Sequence, residues 1–404
     1  MSTSLLYHAW GLRGYRLEAT DFAEGATVFR LRQNADTLCC GHCRSRNVMR
    51  QGVVVRRFKA LPIGRRPVWL ELPVQRLWCA SCGKTRQVKL AFADDRRTYT
   101  HSFERYALEL GRHMTIQDVA RHLGISWDVI KDIQKRYLLR HFARPRLKHL
   151  RQIAIDEICI GRGRRFLTVV LDLESGAVVF VGDGKGTASL EPFWKRLRSS
   201  GAKVQAVATD MSPAYILAVH DNLPKAVHVF DRFHVMKLFN DQLADLRREV
   251  QRSVEDAQQR RLLKGTLWLL LKNSENLDPK KNERQRLQEA LRINQPLATA
   301  YYMKEDLREF WNQLLKPLAA RFLDDWIARA QASGIKMLQK FARTLQVHRT
   351  GLLNWYKCSI STGPLEGTNT KIRVLQRQAY GFRDQEFFKL KIYALHETTY
   401  ALVG

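Results

Sequence analysis

The sequence predicts a multidomain α+β protein: a small β module held by a metal, a pair of short helices, and a larger α/β domain interrupted by an all-α insertion. Three observations predict it. Two Cys-x-x-Cys pairs, Cys40 with Cys43 and Cys79 with Cys82, bracket a stretch of strand-like alternation. Residues Thr115–Tyr137 carry two helical apolar stripes broken at Gly124. From Arg151 onward, short β-rich runs bearing carboxylates give way to a long helical pattern and then to a helix opened by Gly363 and Pro364.

Length and charge bound the function. With 404 residues, 45% of them apolar, the chain has room for two or three domains and is no disordered tail. Lys and Arg number 68 against 39 Asp and Glu, a net +29 with a pI of about 10.2. The expected partner for such a field is nucleic acid; a solvated basic surface and an anionic membrane surface are the alternatives. No apolar run is long enough to span a bilayer and no signal-peptide core opens the chain, so a cytoplasmic location is expected. Seven cysteines, four of them closely paired, suit metal binding in a reducing compartment better than disulfides.

Residues 1–92 form the first predicted domain. Each Cys-x-x-Cys turn presents two thiolates, so Cys40, Cys43, Cys79 and Cys82 complete a tetrahedral site for one structural Zn²⁺ with no open position. Cys39 is an alternative to Cys40 with poorer spacing, and His42 reads as a bystander. Gly41 and Gly83 suit sharp turns. Val68, Leu70, Leu72 and Val74 alternate as a half-buried strand, with Val53–Phe58 as its hairpin partner, and strands carrying two such knuckles make a zinc ribbon. Arg56, Arg57, Lys59, Arg65 and Arg66 are candidate phosphate contacts.

Residues 93–150 contain a polar linker, Ala93–Thr100, and a helix starting near Ser102. A helix-turn-helix follows: Ile116, Val119, Ala120 and Leu123 share a face, Gly124 makes the turn, Ser126 is placed to N-cap, and Val129, Ile130 and Ile133 resume the stripe. An ordinary helical hairpin would look similar. Trp127, Lys131, Lys135 and Arg136 on the second helix are candidate DNA contacts. A basic linker, Arg140–Arg151, ends the segment.

Residues 151–235 carry the pattern βββαβαβ. Asp156 interrupts an apolar strand at Arg151–Ile160, where it must be protonated, half of an ion pair or a metal ligand, and Asp210 ends the strand that begins at Lys203. That order makes the two Asp-bearing strands neighbours in a ribonuclease-H-like sheet. Residues 236–355 read as an α-helical insertion, with Leu287, Ala290 and Leu291 and then Leu307, Phe310, Trp311, Leu314 and Leu315 at helical spacing. Residues 356–404 return to the catalytic core with Glu366 in the first turn of a helix, and Asn369 and Arg373 further along a similar face. Separately, Asp156 fits a salt bridge, Asp210 an N-cap and Glu366 a helix-dipole carboxylate. Together the three acids suit two Mg²⁺ or Mn²⁺ ions and phosphoryl transfer. Gly182–Gly186 reads as a turn, so no nucleotide cofactor is expected.

The segments Ile155–Glu157, Thr209–Pro213, Asp231–Val235, and Gly363–Asn369 continuing to Tyr380–Phe382 give the chain a resemblance to bacterial insertion-sequence DDE transposases of the ISL-three family. The resemblance covers nearly the whole chain. It implies Asp156, Asp210 and Glu366 as the catalytic, metal-binding triad, and DNA-end binding by the N-terminal modules. Asp231 and His234 resemble an Asp/Cys-x-x-His signature found beside such sites; they either steady the scissile phosphate or cap a helix. Lys371 and Arg373 are further candidate DNA contacts. The resemblance also implies strand transfer without a covalent protein intermediate, a homodimer or higher oligomer, and association with the nucleoid. The alternatives are a DNA-binding regulator that does not cut and a nuclease that does not join.

Overall fold

The computed structural model describes residues 5–161 and 165–396, so the outer bounds of the first and last predicted segments lie outside it. The chain forms two compact units, one running to Ala143 and including Leu375–Ala394, the other spanning Arg144–Val374.

The first unit begins with α1 (Leu5–Trp10), β1 (Tyr15–Ala23) and β2 (Ala26–Gln33), which sequence reasoning left unassigned. Glu24 and Gly25, both at positive φ, close β1 onto β2 in a two-residue hairpin. The predicted pair follows as β3 (Val48–Ile63) and β4 (Arg66–Cys79), antiparallel with Val54 opposite Val74 and Phe58 opposite Leu70, while β2 joins β4 in parallel. Val68, Leu70, Leu72 and Val74 are all buried with Trp10, Phe29 and Phe58, as their alternation requires. A short β5 (Thr85–Gln87) pairs with the end of β4.

The stretch 93–100 is not a solvated linker. Ala93 and Tyr99 are buried, Lys59 N donates to Thr98 O, and Thr100 caps α2 (His101–Leu110) through Phe103 N at 3.1 Å. Then come α3 (Ile116–Leu123) and α4 (Trp127–Phe142). Thr115 caps α3 through Asp118 N at 3.1 Å, and Gly124 turns the chain at φ +58°, a conformation that favours glycine. Ser126 holds the N-cap position of α4, yet its hydroxyl makes no capping bond.

The second unit is built on a five-stranded sheet. Strands β6 (Gln152–Gly161), β7 (Arg165–Asp172) and β8 (Val178–Asp183) form an antiparallel meander. After α5 (Thr187–Ser200), β9 (Ala206–Thr209) pairs parallel with β6; after α6 (Pro213–Asn222), β10 (Val227–Phe230) pairs parallel with β9. The spatial order is β10-β9-β6-β7-β8. Ile153, Ile155 and Val207 pack with Phe193, Trp194, Tyr215 and Val219 of α5 and α6. Of Gly182–Gly186, read as a turn, Gly182 and Asp183 belong to β8, and only the last three residues connect that strand to α5.

A helical body follows: α7 (Arg232–Ser253), α8 (Ala257–Gly265), α9 (Leu267–Leu271), α10 (Glu283–Ile293), α11 (Gln295–Arg308), α12 (Lys316–Ala332), α13 (Lys336–Val347) and α14 (Arg349–Leu353). Phe239, Trp326 and Phe341 meet edge-to-face in its core, with centroids 4.8–6.2 Å apart. Leu314 and Leu315 depart from expectation. They follow a 3₁₀ turn ending at Asn312 and are exposed, because the helical period they were read from stops at Arg308. Finally α15 (Gly363–Gln378) carries Glu366 in its first turn, and α16 (Gln385–Tyr393) packs in the first unit. Residues 356–404 are thus divided between the two units: Phe387, Leu390 and Ala394 share a core with Phe103, Val119 and Ile133.

Candidate active site and zinc centre

Parallel pairing sets the register of three carboxylates. Ala154 of β6 lies opposite Ala208 of β9, and Ala208 opposite Val229 of β10. Two residues onward along each chain come Asp156, Asp210 and Asp231, which therefore stand level where β9 and β10 stop. Carboxyl ends of parallel strands are where open α/β sheets bind ligands.

Long-range bonds bring α15 to this edge. Asn369 Nδ2 donates to Asp156 Oδ2 at 2.9 Å. Asp231, only 2% exposed, accepts from Phe233 N at the start of α7 and from Thr362 N just before α15, both at 3.0 Å. His234 Nδ1 lies 3.4 Å from Asp231 Oδ2. Asp210 Oδ1 accepts from Ser212 N at 3.0 Å, which orders the turn after β9. Glu366 lies one helical turn before Asn369, on the same side of α15.

The electrostatics separate these acids by task. Burial pushes Asp156 up to about 6, with His234 offsetting part of the rise. Burial and the nearby Asp231 raise Glu366. Burial would also raise Asp231, but the bonds with His234 and Thr362 N outweigh it and lower its pKa. Burial opposes a charged His234, yet Asp231, Asp156 and Asp210 outweigh that effect and raise its pKa.

Among the described residues, ligand atoms of Asp231, His234 and Glu366 lie within 4.8 Å of one another; Asp156 and Asp210 are outside that group. Of the predicted triad, Glu366 alone is in that group, with the two residues expected to be auxiliary. The donor set suits a hard divalent cation. Asp156 is 9% exposed and its Oδ2 is held by the neutral amide of Asn369, so its ionised form needs a positive partner. The oxygen donors around it are the type Mg²⁺ and Mn²⁺ take. Sequence reasoning named Asn369 only for its place on the helix and missed its bond to Asp156, for which no local pattern exists.

Asp231 is expected to be the structural acid. Replacing it with Ala leaves Phe233 N and the buried Thr362 N without their acceptors, at a cost of about 2–4 kcal/mol. Urea unfolding followed by tryptophan fluorescence should show that loss; an unchanged midpoint would mean that the two bonds hold nothing.

The four zinc-site sulfurs converge. Cys40 Sγ is 3.7 Å from Cys82 Sγ and Cys43 Sγ 3.5 Å from Cys79 Sγ, with all four within 4.8 Å. Zn–S bonds of about 2.3 Å in a tetrahedron require S–S edges of about 3.8 Å, so the cluster fits zinc without rearrangement. Cys39 is outside the cluster, and His42 Nε2 instead meets Lys84 Nζ at 2.9 Å. Gly83 turns at φ +65°. Gly41 serves differently: a Cβ there would stand 2.6 Å from Gln87 O.

Several candidate DNA contacts are engaged inside the first unit. Lys59 is buried with its ammonium 2.7 Å from Gly124 O, and is not available to a phosphate. Arg56 donates to Arg97 O and Arg57 to Glu71, each at 2.7 Å. Lys131 and Lys135 both reach Asp384 Oδ2 at 3.1 Å, and Arg136 pairs with Asp94 and Glu104 at 3.1 and 3.0 Å. Arg65, Arg66, Trp127, Lys371 and Arg373 remain exposed.

Comparison with known proteins finds three family profiles along the chain. Family profiles described as "Transposase", "Helix-turn-helix domain of transposase family ISL3" and "zinc-finger of transposase IS204/IS1001/IS1096/IS1165" match residues 153–392, 88–138 and 36–82. The chain is 32% identical over 400 residues to the transposase for insertion sequence element IS1001 of Bordetella parapertussis, covering 98% of both proteins. It is 30% identical over 396 residues to the transposase for insertion sequence element IS1557 of Mycobacterium tuberculosis, covering 91% of this chain and 88% of that one. A solved structure, the Drosophila P element transposase strand transfer complex, matches with TM-score 0.39 and 13% identity over 76% of this chain and 94% of its own. Among the described residues no helix is long and apolar enough to cross a membrane.

Proposed function

Since this chain belongs to the ISL3 family of insertion-sequence transposases, we propose that it binds the terminal inverted repeats of its element, cleaves there and joins the freed ends to target DNA. One observation carries the reading: Asp156, Asp210 and Asp231 stand level where two parallel strands end, with the Glu366 helix tied to that edge through Asn369 and Thr362.

Asp156, Asp210 and Glu366 are the residues proposed to hold two Mg²⁺ or Mn²⁺ ions. When bound, such ions activate the attacking oxygen and neutralise charge at the phosphorus. The chain's own residues do the positioning. Asn369 orients Asp156, and Asp231 fixes the start of α7 to the segment that delivers Glu366. His234, held at Asp231 with its pKa raised, supplies positive charge toward a scissile phosphate when protonated. Hydrolysis breaks one phosphodiester and leaves a 3′ hydroxyl. That hydroxyl then attacks a target phosphodiester, so one ester bond replaces another and no protein-linked intermediate forms. Zinc held by Cys40, Cys43, Cys79 and Cys82 is structural. Arg65 and Arg66 on the ribbon, with Lys371 and Arg373 on α15, remain as proposed contacts to double-stranded DNA. Pairing two ends calls for at least two copies of the chain.

The test mixes the protein with labelled terminal DNA, a target plasmid and Mg²⁺, with EDTA as control. Metal-dependent joined products are expected. Binding without nicking would instead indicate a regulator, and nicking without joining a nuclease.

A further inference from the structure

The cations of α4 that a helix-turn-helix would ordinarily offer to DNA are held by protein carboxylates. Lys135 Nζ meets Glu386 Oε2 at 2.6 Å as well as Asp384, and Arg136 also donates to Tyr99 Oη at 2.8 Å. Asp384 is built in: it caps α16 through Phe387 N at 3.0 Å. Burial would raise its carboxyl, but the Phe387 N–H and the Lys135 and Lys131 ammoniums hold it at about 2. These lysines have a partner before any phosphate arrives.

What stays open is a cleft of about 740 Å³ at the N-terminal end of α4, lined by Gln117, Trp127, Tyr380, Phe382 and Arg383 among others. One wall is the turn joining α15 to α16. That turn is ordered by Tyr380 N to Arg377 O at 3.1 Å and Gly381 N to Gln376 O at 2.9 Å. Tyr380 sits at φ +50°, costly for a side chain with a Cβ, and the residue is fully exposed. Arg377 and Arg383 are exposed and make no ion pair among the described residues. Free guanidinium groups and an exposed aromatic ring beside the start of a helix-turn-helix second helix suit the backbone and groove edge of duplex DNA.

We infer that the Tyr380–Arg383 turn is part of the duplex-DNA contact surface of the helix-turn-helix, with Arg383 on a backbone phosphate. Lys131 and Lys135 are positioning residues that hold this turn against α4 through Asp384. The inference rests on the reading that this module binds DNA. It moves the phosphate contacts from α4 to a segment more than two hundred residues away in the chain.

Salt dependence tests it. Binding of the full chain to a terminal-repeat duplex and to a random duplex of equal length is measured across a salt series. Each lost phosphate contact lowers the slope of log K against log salt by about 0.9. Arg383→Ala is expected to lower the slope by about one on both duplexes, and Arg383→Lys to restore it. Tyr380→Ala should weaken binding with the slope unchanged, while Lys131→Gln leaves the slope at the wild-type value. A wild-type slope in Arg383→Ala, or a drop of about one in Lys131→Gln, overturns the inference. Thermal melts of each variant separate misfolding from lost contact. If the wild type binds neither duplex, the DNA-binding reading falls with it; if it binds and only Arg383 proves silent, that reading stands and this one does not.

Discussion

Asp156→Asn, Asp210→Asn and Glu366→Gln are each expected to lower cleavage and joining by on the order of 10³-fold or more, with end binding within about twofold of wild type. Each amide preserves shape and removes a charge. If the acids served only as salt bridge, cap or dipole partner, the losses would appear in stability instead. Asp156 allows the two to be told apart. Its carboxyl is raised to about 6 by burial, so between the ordinary carboxylate range and pH 6 the folded state holds a proton that the unfolded chain has released. Stability contributed by this group is therefore present at low pH and lost as pH rises toward 6, by up to about 3 kcal/mol. Asp156→Asn should not show that loss. The expected signature in metal-free protein is a variant at least as stable as wild type at pH 7 and catalytically dead. A variant that is both less stable and still active would remove Asp156 from the site.

Asp231 is the counterpart. Its pKa is lowered through bonds to His234 and Thr362 N, so its charge stabilises the fold above the ordinary carboxylate range and that contribution is lost as pH falls below it. The two acids stand level, one on β6 and one just past β10 with β9 between those strands, and differ in what compensates them. A carboxylate compensated by protein reads as architecture, and one left to a neutral amide reads as chemistry.

The local patterns carried most of the plan. Alternation at Val68–Val74, the two Cys-x-x-Cys turns, the stripes on either side of Gly124 and the βββαβαβ order each occupy a short window, and each is where the chain folds as expected. Asp156, Asp210 and Glu366 stand out as candidates because one interrupts an apolar strand, one follows a strand's end and one opens a helix. Pairings across the insertion were not legible. Asn369 meets Asp156, Thr362 meets Asp231 and Asp384 meets Lys135 over separations of 213, 131 and 249 residues, and no periodicity records such contacts. For the same reason the lysines of α4 read as free when they are paired. Leu314 and Leu315 failed differently: an apolar run continued the helical count past the point where the helix ends.

Removing zinc is expected to unfold one end of the ribbon and spare the other. Beside the four sulfurs the apolar support is small, Leu38, Leu77 and Val88 with Val48 at the edge. At the far end β3 and β4 lie over a larger core of Trp10, Phe29, Leu31, Phe58, Leu70, Leu72 and Phe92. A handful of apolar side chains cannot offset the entropy of ordering two loops, whereas zinc on four thiolates contributes about 10–16 kcal/mol in small modules. Elemental analysis should find one zinc per chain in wild type and none in Cys79→Ser. On chelation, hydrogen exchange should accelerate across Leu38–Arg44 and Cys79–Gln87 while Phe58–Leu72 stays protected, and zinc alone should restore the pattern. Because all four positions are sulfur, Cys79→Ser protein that still folds should retain metal-dependent cleavage chemistry on a substrate that does not require end recognition. Unchanged exchange at both knuckles after the metal is gone would mean that the apolar contacts suffice there and the cysteines are not what holds the turn.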